Sequence, residues 1–403
     1  MPVVTVAGAS GQTVSLSFSS SENYLLATKI AGAISAGVKN SQLIPASSKN
    51  GAPPNLAPGV DGEWVQQTSG VTFLPHGYKA VVNDSKGSII FGSGDLGESV
   101  LSGAGGMTFI ATGGSGTVVA AGGSNTVLVP PNDSGSWLIS TGAGNDSIIA
   151  LGTGNDTIQA GSGNNLILLG GGKDMVTLTG SDTVYGGSGA DTIDATQAKS
   201  AIVQGGSGNI TFIGGGGSVT LFGGTGSDTV FGGTGNSVIH GGSAGNNLLF
   251  AGAGQSTLFG GGSGDLLFAS GSKNQVLYAG AGNETLSGAL SFGNNTFYAG
   301  TGKNQIVGGL GKDTFVDGKG AATITGGIGA DVFEFIKGSA GGHTLITDFT
   351  DSDTIDLDGY GGHEVKNALK SQVTTFGSVT ITLSDHTTIT FSGVSSLKSS
   401  NFS

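Results

Sequence analysis

The chain has 403 residues, 80 of them glycine, with 15 basic residues that are all lysine and 27 acids, for a net charge of −12. Eight prolines without a Gly-X-Y period exclude a collagen triple helix, and 36% hydrophobic against 10% charged residues excludes a disordered chain. The negative charge argues against nucleic acid or an anionic membrane as partner, and the lack of cysteine excludes disulfides and thiolate metal sites.

Residues 1–87 are expected to form a small α+β region that serves as a cap, an anchor or an assembly domain. Val3–Val6 and Thr13–Phe18 read as a hairpin around Gly8–Gly11. Ser19–Glu22 fits a capping box that opens a helix running to about Val38, with Leu26, Ile30 and Ile34 on one face. Pro53, Pro54 and Pro58 mark a loop, and Trp64, Val71–Leu74 and Tyr78–Val82 suggest further short strands. Met1–Ser20 lacks a charged segment followed by an apolar one, so no N-terminal signal peptide is expected. No apolar run is long enough to span a membrane.

From residue 88 to 335 the chain repeats. An aliphatic or aromatic residue returns every nine or ten positions, from Ile148, Ile158 and Ile167 through Ile202, Leu221 and Val276 to Phe333. Weaker units precede these at Val100, Phe109, Val118, Val127 and Trp137. Each unit is a glycine-rich turn followed by three strand residues, as in Gly223-Gly224-Thr225-Gly226-Ser227-Asp228-Thr229-Val230-Phe231. The middle residue of the triplet points inward and its neighbours outward. One unit buries a single side chain, so only stacked units are stable.

These units resemble the repeats-in-toxin (RTX) nonapeptide G-G-x-G-x-D-x-U-x. The resemblance implies an all-β-dominated fold, a right-handed parallel β-roll with two units per coil, flanked by the α+β N-terminal region and a β-rich C-terminal module. It also implies calcium in the turns, bound between neighbouring coils on one side by turn carbonyls and the aspartates of successive units. The excess of aspartate (21) over glutamate (6) suits such tight oxygen sites. Sorted by side, Asp156, Asp174 and Asp191 fall in three consecutive coils and frame two sites. Asp313 and Asp331 form another pair, and Asp146 and Asp182 flank Asn165 in a weaker one. Asp228 and Asp265 are isolated on their side and read as turn formers without an ion. Three to five occupied sites are expected, with the middle of the roll holding without calcium.

The outward positions carry threonines and a block of aromatics that includes Phe222, Phe231, Phe250, Phe259, Phe268, Tyr278 and Tyr298. Stacking within the sheet explains them, and an assembly surface is the alternative. Residues 336–403 are expected to form the C-terminal module, with a short helix at Glu364–Ser371 and strands at Val379–Leu383 and Thr388–Phe391. Its Asp348-Phe349 and Asp353-Thr354-Ile355-Asp356-Leu357 segments are similar to the C-terminal module of RTX proteins, which implies an uncleaved type I export signal.

No catalytic residues are assigned and no enzyme activity is expected. The five histidines form no His-Glu-x-x-His, and Gly241-Gly242-Ser243-Ala244-Gly245 sits inside the repeats. The reading is a secreted, calcium-binding structural protein of the bacterial cell surface or matrix that associates with itself into a layer or filament. An adhesin-like module binding cell-surface polysaccharide is the first alternative, and a β-solenoid polysaccharide lyase or epimerase the second.

Overall fold

A computed structural model describes residues 2–8, 11–18 and 20–403. The chain divides into two compact units, Met1–Gly208 and Asn209–Ser403.

In the first unit, β1 (Val3–Ala7) and β2 (Thr13–Ser17) pair antiparallel as the alternation demands. Helix α1 (Ser21–Lys39) follows, and the Ser20 side chain accepts from the Asn23 amide at 3.4 Å. Ser19 and the Glu22 side chain of the expected capping box lie outside the described residues. The helix buries Ala27, Ile30, Ala31 and Ile34, together with β1 and β2, against Val65, Ala80, Val82, Leu101, Val119 and Ala121. Five of these lie in strands of the roll and Ala121 directly follows one, so the hairpin and helix cover the outer flank of one of its sheets. The sequence-based expectation for residues 1–87 was a cap, an anchor or an assembly domain. The position follows from the outward apolar residues that these particular strands carry. The Asn23 side chain fastens the same contact, its Nδ2 donating to the Ala120 carbonyl at 2.9 Å.

The roll is two parallel sheets whose strands alternate along the chain. Coil stacking begins at Leu43–Ser47, which pairs in parallel with Asp61–Gln66, upstream of the glycine repeats. There the core is filled by large side chains: Trp64 and Tyr78 meet edge-on at 6.4 Å, and both are buried. From Thr126 on, the units are regular. Val127, Ile148 and Ile167 stack directly above one another in one sheet, and Ile139, Ile158, Val176 and Ile193 in the other.

The second unit repeats this arrangement. Phe212, Val230, Leu249, Leu267 and Leu286 form one inward column. Leu221, Ile239, Leu258, Leu277, Phe297, Phe315, Phe333 and Ile355 line the facing sheet. Its last strands are Thr388–Phe391, which runs parallel to His343–Ile346, and Ser378–Thr382, which runs antiparallel to Thr388–Phe391. Helix α2 (Glu364–Lys370) precedes them, and a bridge from Phe402 meets Ile355.

Register differs from the sequence reading at three units. Ile202 is 47% exposed, and Val203 points inward instead. Leu277 takes the inward place given to Val276. Trp137 opens its strand at the register of the turn acids, with Ile139 as the inward residue. Each slip follows a turn that departs from the glycine pattern, such as Ala195–Lys199, so counting from the neighbouring unit misses by one or two residues. Among the described residues no helix is long and apolar enough to cross a membrane.

Candidate metal sites in the turns

Two rows of side chains tie the turns of successive coils together. In the buried row, each turn Asp or Asn accepts from the backbone amide of its counterpart one coil earlier. Asp156 Oδ1 accepts from the Trp137 amide at 2.8 Å, Asp174 from Asp156 at 2.7 Å and Asp191 from Asp174 at 3.2 Å. On the opposite side, Asp146 accepts from Asn125, Asn165 from Asp146 and Asp182 from Asn165, at 2.7–3.1 Å. In the second unit Asp313 accepts from Asn295 and Asp331 from Asp313. A second, exposed row runs the other way. The side chains of Asn145, Asn155, Asn283 and Asn294 accept from the amides of Asn164, Lys173, Lys303 and Lys312 in the following coil.

The buried row leaves one carboxylate oxygen over. Asp146, Asp174, Asp191, Asp313 and Asp331 each have a buried Oδ2 without a hydrogen-bond partner. Desolvation by burial pushes Asp156, Asp191 and Asp331 up to about 7 and Asp174 and Asp313 up to about 6. Burial raises Asp146 and Asp182 as well. A buried carboxylate with a free lone pair is costly unless it is protonated or meets a cation.

The surroundings suit a hard cation. A Cβ on Gly189 would lie 2.1 Å from the Gly172 carbonyl oxygen and 3.0 Å from Asp191 Oδ1. On Gly329 it would lie 1.9 Å from the Gly311 oxygen and 2.6 Å from Asp331 Oδ1. Only glycine leaves carbonyl and carboxylate oxygens this close to one point. Among the described residues no three Asp, Glu, His or Cys side chains gather as a metal-holding group. The donor set is therefore paired carboxylates from stacked turns plus backbone carbonyls, all oxygen, which is the preference of calcium.

The structure stacks Asp156, Asp174 and Asp191 in adjacent turns, and likewise Asp313 and Asp331, while Asn165 separates Asp146 from Asp182. Three further acids join the candidates named from the sequence. Asp353 continues the row above Asp331, accepting from its amide at 3.0 Å; its place was hidden by the longer connection before it. Glu284 follows Asp265 in one row, with both carboxylate oxygens buried and unpartnered. Glu98 stands two coils before Trp137 in its row and is pushed up to about 8 by burial. Asp228 and Asp265 also carry an unpartnered Oδ2, so what sets Asp228 apart is its neighbours, Ile210 and Asn247. Gln275, in place of Asn274, fills its turn and donates to three carbonyls.

The outward aromatics form two continuous stacks in the second unit. Phe231, Phe250 and Phe268 lie 4.8–5.0 Å apart. Phe222, His240, Phe259, Tyr278 and Tyr298 lie 4.3–4.8 Å apart with their planes nearly parallel. His240 belongs to this stack, where the sequence reading left it as a scattered histidine. Because the rings cover one another's faces, they offer solvent their edges, which suits sheet stiffening better than stacking on sugar rings. Phe250→Ala removes two stacked contacts, and chemical denaturation is expected to show a loss of about 1–3 kcal/mol from them. Ser243, of the Gly-x-Ser-x-Gly string, lies in a roll turn with its amide donating to the Gly224 carbonyl at 2.9 Å.

No curated protein matches the chain. The family model described as the RTX calcium-binding nonapeptide repeat (4 copies) matches residues 140–176, 175–197, 203–239, 241–276, 278–315 and 307–335. These stretches contain the stacked carboxylates and nearly all the regular coils. The chain is an RTX repeat protein with a parallel β-solenoid fold.

Proposed function

We propose that this is an extracellular structural protein whose roll is ordered by calcium and which associates with itself into a layer or filament. The observation that carries the calcium reading is the run of stacked, buried aspartates, each sharing one oxygen with a backbone amide and several keeping the other free. The ion is held by Asp156, Asp174 and Asp191, by Asp313 and Asp331, and more weakly by Asp146 and Asp182 around Asn165. Calcium supplies the charge that these carboxylates lack a partner for. An unfolded glycine-rich turn has no preformed cage, so binding and folding of the coils are one event. Export by the type I route, and hence the extracellular location, is proposed from membership of the RTX family. Self-association is supported by the large outward side chains, among them Phe222 and Phe231, which are 44% and 41% exposed.

Two measurements test this. Calorimetric titration of the full chain is expected to show a few equivalents of calcium, and no uptake would refute the calcium reading. Negative-stain microscopy with calcium is expected to show ordered polymers. A persistent monomer retained on a polysaccharide column would replace assembly with the adhesin reading.

A further inference from the structure

Two surface features are unexplained by the chain's own packing. The first, in the second unit, is the hairpin of Val373–Thr375 with Ser378–Thr382. Phe376 and Gly377 form its two-residue turn, with φ of 49° and 77°. Two left-handed residues in a hairpin loop correspond to a type I′ turn, whose first place suits asparagine. A bulky aromatic there is strained, and Phe376 is also fully exposed, so no packing within the chain offsets the strain. The base of the hairpin is tied down. Ser371 Oγ donates to the Thr382 carbonyl at 3.1 Å and Thr374 Oγ1 to the Ser395 carbonyl at 3.0 Å. Val373, Thr374 and Thr375 are all exposed, and among the described residues the backbone of their strand meets only Ser378–Thr382. A held aromatic tip thus projects beside an open strand edge.

The second feature lies in the first unit, where the roll begins. Leu43–Ser47 starts one sheet, but the facing sheet starts only at Val71–Phe73. In between, the chain makes a 3₁₀ turn at Ser48–Asn50 and an irregular segment, held where the Tyr78 hydroxyl donates to the Pro54 carbonyl at 3.0 Å. The facing sheet is therefore one strand short. Val71 and Phe73 are exposed on its first strand, which pairs only with Ser88–Phe91 among the described residues. Beside that edge is an open cavity of about 490 Å³, to which Pro53, Trp64, Gln66, Thr72 and Phe73 contribute. Its polar groups satisfy one another: Gln66 Oε1 accepts from Trp64 Nε1 at 2.6 Å and from Thr72 Oγ1 at 2.8 Å. Such a cavity suits an apolar guest.

Exposed sheet edges are ordinarily guarded by charge. Neither of these is, because no charged residue occurs from Ser371 to Ser384 or from Trp64 to Pro75. One surface lacks a strand and an apolar filling, and the other carries a spare strand with an aromatic at its end. The chain is complementary to a second copy of itself.

We propose that the Phe376 hairpin of one copy docks on the open edge of the next, with Val373–Thr375 pairing along Val71–Phe73 and the Phe376 ring entering the cavity beside Phe73. Main-chain hydrogen bonds supply the affinity and the aromatic anchor the specificity. The two surfaces differ, so each docked copy still offers one of them, and the contact propagates where a symmetric pair would close. This inference rests on the self-association reading and gives it a contact separate from the aromatic stacks.

The test uses the full chain in calcium and two variants. Phe376→Asn puts a favoured residue in the turn, so its monomer is expected to be at least as stable as that of the parent. Self-association is expected to weaken by about thirtyfold or more, the loss that removal of a central aromatic anchor brings. Val71→Lys places a charge on the receiving edge at an exposed position and is expected to give the same loss. Each variant keeps the surface that the other lacks. Sedimentation is therefore expected to show polymers for the parent, monomers for either variant and a discrete dimer for their equal mixture. Polymers from Phe376→Asn, or a mixture that stays monomeric, would overturn the proposal. If Val71→Lys does not fold, Phe376→Asn decides alone, by polymers kept or lost. A parent that stays monomeric sinks the self-association reading itself, whereas a parent that polymerises together with Phe376→Asn sinks this inference alone.

Discussion

Asp174→Asn is expected to remove two calcium equivalents at once and to lower the Tm in saturating calcium by roughly 10–20 °C. Asp174 lies between Asp156 and Asp191 in the buried row and so belongs to both sites that the three aspartates frame. A site at a hundredfold excess of ligand over its Kd contributes about 2.7 kcal/mol, and in a unit of this size each kcal/mol moves Tm by about 2–4 °C. With chelator the same variant is expected to be at least as stable as the parent. Asparagine keeps the oxygen that accepts from the Asp156 amide and removes a buried carboxylate whose other oxygen has no partner. An ordinary packing defect would lower both melting temperatures together, so the opposite response in the two conditions is the diagnostic result. Calorimetry and thermal unfolding, each with calcium and with chelator, decide it, and an unchanged number of equivalents would remove Asp174 from the site.

Without calcium, stability is expected to fall as pH rises from about 4 to about 7. Burial holds Asp156, Asp191 and Asp331 at about 7 and Asp174 and Asp313 at about 6, above an ordinary value of 3.8. Between the unfolded and folded values the native state keeps protons that the unfolded chain has released. Their contribution is therefore complete below the unfolded pKa and is lost as pH climbs through the folded one. A shift of two to three pH units corresponds to about 3–4 kcal/mol per group as an upper bound. Glu63 and Glu98, both buried and pushed up to about 8, extend the decline past neutrality. Saturating calcium is expected to reverse the trend over the aspartate range, because the ion takes the place of the protons and binds more tightly as they leave. Thermal unfolding across this range, with and without chelator, would show two curves of opposite slope. A flat or rising curve in chelator would mean that these carboxylates are not desolvated in the apo state.

Much of this was legible in the chain because the repeat carries its own ruler. A nine-residue spacing of apolar residues between glycine turns fixes strand, turn and inward face together, and the side to which each carboxylate belongs follows from counting. The stacking of Asp156, Asp174 and Asp191 was readable for that reason. Counting fails where a turn changes length, and the misplaced residues Ile202 and Val276 follow such turns. Asp353 was missed because a connection without the glycine signature separates it from Asp331. The place of α1 was invisible too, since the outward residues it covers, such as Val82 and Leu101, look like ordinary strand positions until something packs on them.

The opposed rows of turn side chains also set the rule by which such a molecule changes length. The buried turn aspartates serve the amides of the coil before them, and the exposed asparagines serve the coil after. Loss of a single nonapeptide would transfer every downstream acid to the opposite wall and break the carboxylate pairs that straddle the deletion, such as Asp174 with Asp191. Loss or gain of a complete turn of the spiral restores all of them. Growth by gene duplication is thereby quantised in pairs of repeats, and grafts between proteins of this kind should be cut at matching walls.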